Sequence, residues 1–351
     1  MAEQPRVGAH HSSVVKGLGI SLVLSFAAAA QVPMIGDINL YGLHKVPAEK
    51  ILAAIKAQPG DRLPPSKGDL EDGIEDIPDV VLARGEAVCC EGRDALLFVG
   101  IEERGAPHPS LHSPPAGSAV LPPELVSSYH DFLDAVQHAA SQGSTAEDLT
   151  AGHSMMSAPR ARAFQDRFAS FAATHLELLR EVVRTGSEPE QRAIAAAVIG
   201  YAPHKQEIVD DLQYAVEDDD ETVRANAMRS LSAIAVFNSK HPQQVVPIPP
   251  TWFVDLLNSV VLSDRVESVR ALINLTETPN PGALDLMRER ALPALIEMAR
   301  WKTLSYALPP FLLVGRIAGL PDEQIHQYWE KGDRETVIQK ASGPRRTSRR
   351  R

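Results

Sequence analysis

Few groupings of residues in this chain could do chemistry. Cys89 and Cys90 are its only cysteines. In an oxidising compartment such neighbours could close a strained vicinal disulfide, act as a redox switch or bridge to another chain. Adjacent side chains of a strand face opposite ways, so one buried and one exposed thiol is the simpler reading. His130, Asp134 and His138 stand at i, i+4 and i+8, a spacing that could hold zinc, and His153 could join them only by folding back. They lie opposite the apolar stripe of Phe132, Leu133, Val136 and Ala140, so a solvated helix face also explains them. The third grouping pairs arginine with aspartate. In "EDDDETVRANAMRSLSAIA", Glu217 to Ala235, three aspartates precede a helix that carries Arg224 in its first turn. No phosphate loop, dinucleotide fingerprint or nucleophile elbow occurs. No cofactor is expected, and the chain does not read as an enzyme.

The aspartates have structural work to do. With Val223 at zero on a helical wheel, Ala227, Ser230, Leu231 and Ile234 lie within roughly 80° of it, at ~100° per residue. Arg224 then falls at the edge of the buried stripe, where an unpaired guanidinium would be costly. Asp219 or Asp220 suits the helix N-cap, where a carboxylate meets free backbone N–H groups. The pattern recurs. "SEPEQRAIAAAVIGYA" aligns Arg192 with Arg224, and "SDRVESVRALINLT" aligns Arg270, with Asp264 ahead of it and Val266, Val269 and Ile273 as its stripe. Second helices lie between, in "KQEIVDDLQYAVE", "TWFVDLLNSVVLS" and "LPALIEMARW". Helix pairs at such intervals predict a solenoid.

These stretches resemble the short bacterial kind of HEAT repeat, whose signature is an acidic loop, then Val-Arg, then alanines and leucine. The resemblance implies an interlocking ladder of Arg192, Arg224 and Arg270 with Asp220 and Asp264. It spans about 187–320 and is clearest at the middle repeat. Upstream, residues 35–104 read as strand, helix, helix, strand, strand, and resemble a POTRA domain. Gly42, Gly60 with Asp61, Gly92 and the apolar run Leu96 to Glu102 carry that likeness. It implies a sheet edge able to pair with a client strand, although "ARGEAVCC" replaces the Gly-x-Phe that often precedes the second strand.

The expected organisation is thus a leader over 1–30, a POTRA-like α+β domain over 31–104, and a mobile proline-rich linker over 105–122. A helical region over 123–186, a HEAT-like all-α solenoid over 187–340 and an arginine-rich tail over 341–351 follow. "GLGISLVLSFAAAA", Gly17 to Ala30, is a short apolar core ending in small residues, which predicts cleavage after Ala30 and an exported protein, periplasmic or envelope-associated. The stretch is short of the ~20 residues that span a bilayer, and no transmembrane segment is expected in the mature chain. The net charge is −10. Removing Glu3, Arg6 and Lys16 with the leader makes it −11, and setting aside the five tail arginines leaves the body at −16. An acidic body argues against a nucleic-acid groove. The expected role is a scaffold or adaptor that binds a protein or peptide, with an inner surface near residues 205–217, 252–262 and 291–302. The rival reading, from the same resemblance, is a repeat enzyme such as a tetrapyrrole-pigment lyase.

Overall fold

The structure, a computed structural model, describes the backbone of residues 33–91 and 94–343, and their side chains except those of Cys89, Cys90 and Glu91. The leader, Gly92 and all but the first residues of the arginine-rich tail lie outside the described residues. The described residues from Pro33 to Gly343 form one compact unit.

Its N-terminal part is β1 (Ile35–Tyr41), α1 (Ala48–Ile55), α2 (Lys67–Glu75), β2 (Val80–Glu91) and β3 (Asp94–Glu103). This is the order read from the sequence. The sheet runs β1-β3-β2, with β1 parallel and β2 antiparallel to the central β3. β3 is buried almost without interruption, as a strand covered on both faces must be. Ile51, Ile55, Leu70 and Ile74 of the two helices pack with Leu97, Val99 and Ile101 on one face, whereas Leu96 and Phe98 join the core of the helical stack on the other. At the end of β3, the buried Glu103 carboxylate accepts the backbone N–H groups of His44, Lys45 and Val46 at 2.7, 2.7 and 3.0 Å. Burial raises this carboxyl, but the three donors outweigh it and hold the group below its usual range.

Helices then dominate: α3 (Pro123–Ser141), α4 (Pro159–Thr174), α5 (Leu176–Thr185), α6 (Pro189–Ile199), α7 (Val209–Val216), α8 (Glu221–Lys240), α9 (Thr251–Leu256), α10 (Leu262–Leu275), α11 (Pro281–Arg290), α12 (Leu292–Ala299), α13 (Leu304–Ile317), α14 (Asp322–Glu330) and α15 (Arg334–Ser342). They form two layers. α6, α8, α10 and α13 stack in succession, and α5, α7 and α9 each pack on the helix that follows them. Among the described residues, no helix is long and apolar enough to cross a membrane.

The region 123–186 is not purely helical. A small ribbon, β4 (Glu147–Asp148) with β5 (Met155–Met156), separates α3 from α4. Asp148 fixes its turn by accepting from the backbone N–H and hydroxyl of Thr150 at 2.9 and 2.7 Å. A break at His175 separates α4 from α5, and α5 turns to pack on both α6 and α7.

The proline-rich linker is also not a mobile tether. It runs over the loop edge of the stack as a strap. The His112 N–H donates to the Glu217 carbonyl at 2.9 Å, and its ring stacks on Tyr214 at 4.3 Å. Gly117 exchanges bonds with the loop after α5: its N–H donates to Thr185 and its carbonyl accepts from Ser187. A Cβ on Gly117 would lie 2.4 Å from the Thr185 carbonyl oxygen, so glycine is required there. Prolines keep the strap extended without donors to satisfy, and the N–H groups of His112 and Gly117 find carbonyls at the ends of α7 and α5.

Candidate functional site

The arginine ladder is built from the fourth position of successive helices. Asp220 caps α8 by accepting from the N–H groups of Thr222 and Val223 at 2.9 and 3.0 Å. That cap starts the helix so that Arg224 points into the stack, 2% exposed. Its Nε and Nη2 donate to the two oxygens of Asp264, both at 2.8 Å. One layer earlier, the fully buried Arg192 makes the same fork to Asp218, at 2.7 and 2.8 Å, and adds Asp219 at 2.9 Å. Each arginine also clamps the loop ahead of its own helix. Arg192 donates to the carbonyls of Gly186 and Ser187, and Arg224 to those of Asp218 and Asp219. Burial pushes Asp218 up, but Arg192 and the Asp220 N–H outweigh it and hold its carboxyl low.

Two expected members of the ladder sit elsewhere. Asp220 serves as the cap and leaves the pairing to Asp218. Arg270 is a half-exposed side chain bonded to Glu267 at 3.1 Å. The third rung is Arg265, which occupies the fourth position of α10, as Arg192 does in α6 and Arg224 in α8. It donates to the Ser259 carbonyl at 2.6 Å, six residues back, the same offset as in the other two. It also reaches Glu297 at 3.2 Å and lies 4.6 Å over the Tyr41 ring. The sequence "SVRAL" around Arg270 imitates "TVRAN" around Arg224, and that likeness set the wrong register. The helix starts at Leu262, and the stripe it buries is Arg265, Ser268, Val269 and Leu272. Counting positions from the turn residues Ser259 to Val261 would have found it.

The exposed face is the other feature of the stack. A cavity of about 400 Å³ opens where α3, α4, α6 and α8 meet under the β4–β5 ribbon. Tyr129, Phe132, Phe168 and Tyr201 are its aromatic wall, and the 47% exposed Leu133 stands at its rim. His153 reaches it from the ribbon turn. Its imidazole is pushed down to about 4, first by burial and then by the Lys205 ammonium, 3.1 Å away. Lys205 itself is pushed down to about 8 by burial, and its Nζ donates to the carbonyls of Gly200 and Ala202 at the end of α6. A second cavity, of about 280 Å³, lies between α10 and α13.

This open face is on the layer of α6, α8, α10 and α13, opposite to where the inner surface was expected. The layer of α7, α9 and α12 is instead met by the strap and the sheet along its loop edge. The strap lies on Tyr214 of α7. The sheet sits beside α9 and α12: the Tyr41 hydroxyl donates to the Val260 carbonyl at 2.8 Å, and Phe98 meets Trp301 edge-on at 5.1 Å. The sheet edge is partly occupied as well. The N–H groups of Ala83 and Gly85 on β2 are bound by Glu75 and Glu71 of α2, at 2.9 and 2.8 Å.

The remaining candidates are quickly placed. The backbone of Cys89 and Cys90 lies in β2, and their side chains lie outside the described residues. His130 bonds Glu190 at 2.8 Å and His138 bonds Gln142 at 3.0 Å, on an exposed helix face. Among the described residues, no cluster of three or more His, Cys, Asp or Glu is placed to hold a metal ion.

Comparison with known proteins agrees with the geometry. No curated protein matches the chain. Among solved structures, a crystal structure of an engineered protein from the Northeast Structural Genomics Consortium aligns at 16% identity over 52% of this chain and 89% of its own, with a TM-score of 0.32. Residues 176–247 match the family model for HEAT repeats. That span contains α5 to α8 with Arg192, Asp218 and Arg224, and the stacked arginine-headed helices identify it as HEAT repeats.

Proposed function

We propose that the chain is a non-enzymatic scaffold or adaptor, exported by its N-terminal leader, which binds a protein or peptide through the layer of α6, α8, α10 and α13. HEAT repeats point to protein interaction. The observation that carries the finer reading is the aromatic-walled cavity on this layer, while the strap and the sheet pack along the loop edge of the opposite layer. Cavities with a few polar groups among aromatic side chains are the usual docking places of small segments and ligands. The titratable groups around it are committed to structure: His153 and Lys205 close the end of α6, and Glu267 holds two arginines. The leader supports an envelope or periplasmic location. A POTRA-like role for the sheet is the narrower part of the reading, because α2 already binds two N–H groups of the β2 edge.

A photo-crosslinker tests this reading when placed at Ala140, on the exposed rim of the cavity, or at Asp210, exposed on the opposite layer. Capture of a defined protein from Ala140 and not from Asp210 is expected in an envelope fraction. Equal capture from both positions rejects the face, and capture from neither rejects the scaffold.

A further inference from the structure

The two cavities adjoin at one side chain, Arg270, which lines both. Beside it two arginines meet one carboxylate, and the other carboxylate of the larger cavity, Glu147, stands on the β4–β5 ribbon and accepts from the Ser154 hydroxyl. Arg229 Nε and Arg270 Nη1 both bond Glu267, at 3.0 and 3.1 Å. The Glu267 side chain is 6% exposed, whereas those of Arg229 and Arg270 are 57% and 55% exposed. Two cations share one sunken anion, and their outer N–H groups face solvent. On a strongly acidic body, this positive spot lies between two apolar hollows.

The smaller hollow has a second feature. Pro309 and Pro310 stand inside α13 and have no N–H. The carbonyls of Ser305 and Tyr306, four residues earlier, therefore lose the donors that a regular helix would supply. Both residues line the cavity, together with Val266, Ile273 and Met298. The hollow thus combines apolar walls with two residues whose carbonyls lack their regular helical donors.

We propose that this face holds an extended acidic peptide segment, one that brings a carboxylate to Arg229 and Arg270. An aromatic or aliphatic side chain fills the larger hollow, and a second apolar side chain enters the smaller one. Peptide N–H groups meet the carbonyls of Ser305 and Tyr306. Guanidiniums with free forks suit a carboxylate better than any neutral group. A peptide alternates apolar side chains with backbone donors, and a simple amphipathic carboxylate such as a fatty acid has no donor for the α13 carbonyls. The inference rests on the reading of this layer as the binding face, and it names the chemistry of the partner.

A random seven-residue peptide library, blocked at both termini and screened on the full chain, tests it. The selected sequences are expected to share one Asp or Glu flanked by apolar residues. Their binding should weaken with salt, and by at least about tenfold in an Arg229→Gln/Arg270→Gln variant. Ala140→Trp and Ser305→Trp fill the two hollows from exposed positions, leave the arginines in place, and should each block binding. Thermal melting of every variant checks that it is folded. Selected peptides without an acidic residue, or binding that survives both tryptophan variants, overturn the proposal while the scaffold reading stands. Binding of dodecanoate in the hollows, with no peptide selected, overturns it in favour of a lipid carboxylate. No selection of any kind, together with no capture at Ala140, overturns both.

Discussion

At the scale of single residues, two arginines that look alike in the sequence should behave very differently. Arg224 is buried and doubly bonded to a buried Asp264, whereas Arg270 is half exposed beside Glu267. Removing one partner of a buried pair leaves the other charge stranded, at a cost of about 3–5 kcal/mol. Losing an exposed partner costs under about 1 kcal/mol. Urea denaturation should therefore show a large loss for Arg224→Met and a small one for Arg270→Met. Equal losses would mean that the ladder is not the mainstay of the stack. Glu103 adds a pH signature. A carboxyl whose folded pKa lies below its unfolded value of about 4.3 stabilises the fold above that value. The contribution disappears as pH falls through the folded value. The stability gap between the wild type and Glu103→Gln should be wide at neutral pH and narrow progressively below about pH 4. A gap that stays constant with pH would show that the three N–H groups do not depend on the charge. The sequence made Arg192 and Arg224 legible because an apolar stripe and an acidic loop frame each of them. It hid Arg265 because nothing local distinguishes one arginine from another five residues away; only the first helical residue of α10 decides which is buried.

At the scale of elements, the strap behaves as a part of the repeat edge. Its bonds join residues about 70 to 105 apart in the chain, at His112 with Glu217 and at Gly117 with Thr185 and Ser187. Proline content and missing periodicity describe the strap's own conformation and carry no trace of these distant partners, so the sequence suggested a free linker. The strand-helix-helix-strand-strand order upstream was readable because each element shows its period within a few residues. What lies against α7, α9 and α12 was hidden for the strap's reason: it depends on which distant segments fold back onto them. Gly117→Ala puts a Cβ against the Thr185 carbonyl and should release the strap locally while the helices stay intact. Hydrogen exchange reads this directly. The amides of residue 112 and Ser187 should be protected in the wild type and exchange much faster in the variant, with those of α8 unchanged. Fast exchange at these amides in the wild type would show that the strap is not docked.

At the scale of the whole described chain, the α+β part and the helical stack share a clasp, and the clasp is tied to the ladder. Glu297 accepts the Gly42 N–H at 2.9 Å while holding Arg265, whose guanidinium lies over Tyr41. The positive φ of Gly42, 82°, turns the chain so that its N–H reaches Glu297, and a side chain there would strike the Ile101 carbonyl. Around this point Phe98 and Tyr41 pack edge-on against Trp301, and Asp37 pairs with Lys302 at 2.9 Å. Burial pushes Glu297 up and Arg265 down, and the attraction between the two charges opposes both shifts. Opening the interface would expose an apolar surface and take the Gly42 N–H and the Tyr41 ring away from this pair, and both costs favour joint unfolding. Calorimetry of the full chain should therefore show one transition. Phe98→Ala, which removes a fully buried ring at a cost of about 3–5 kcal/mol, should weaken the coupling, and Phe98→Ala/Trp301→Ala should divide the melt into two steps. Two steps already present in the wild type would mean that the clasp is too weak to join the parts, and the sheet would then be free to leave the stack and uncover α9 and α12.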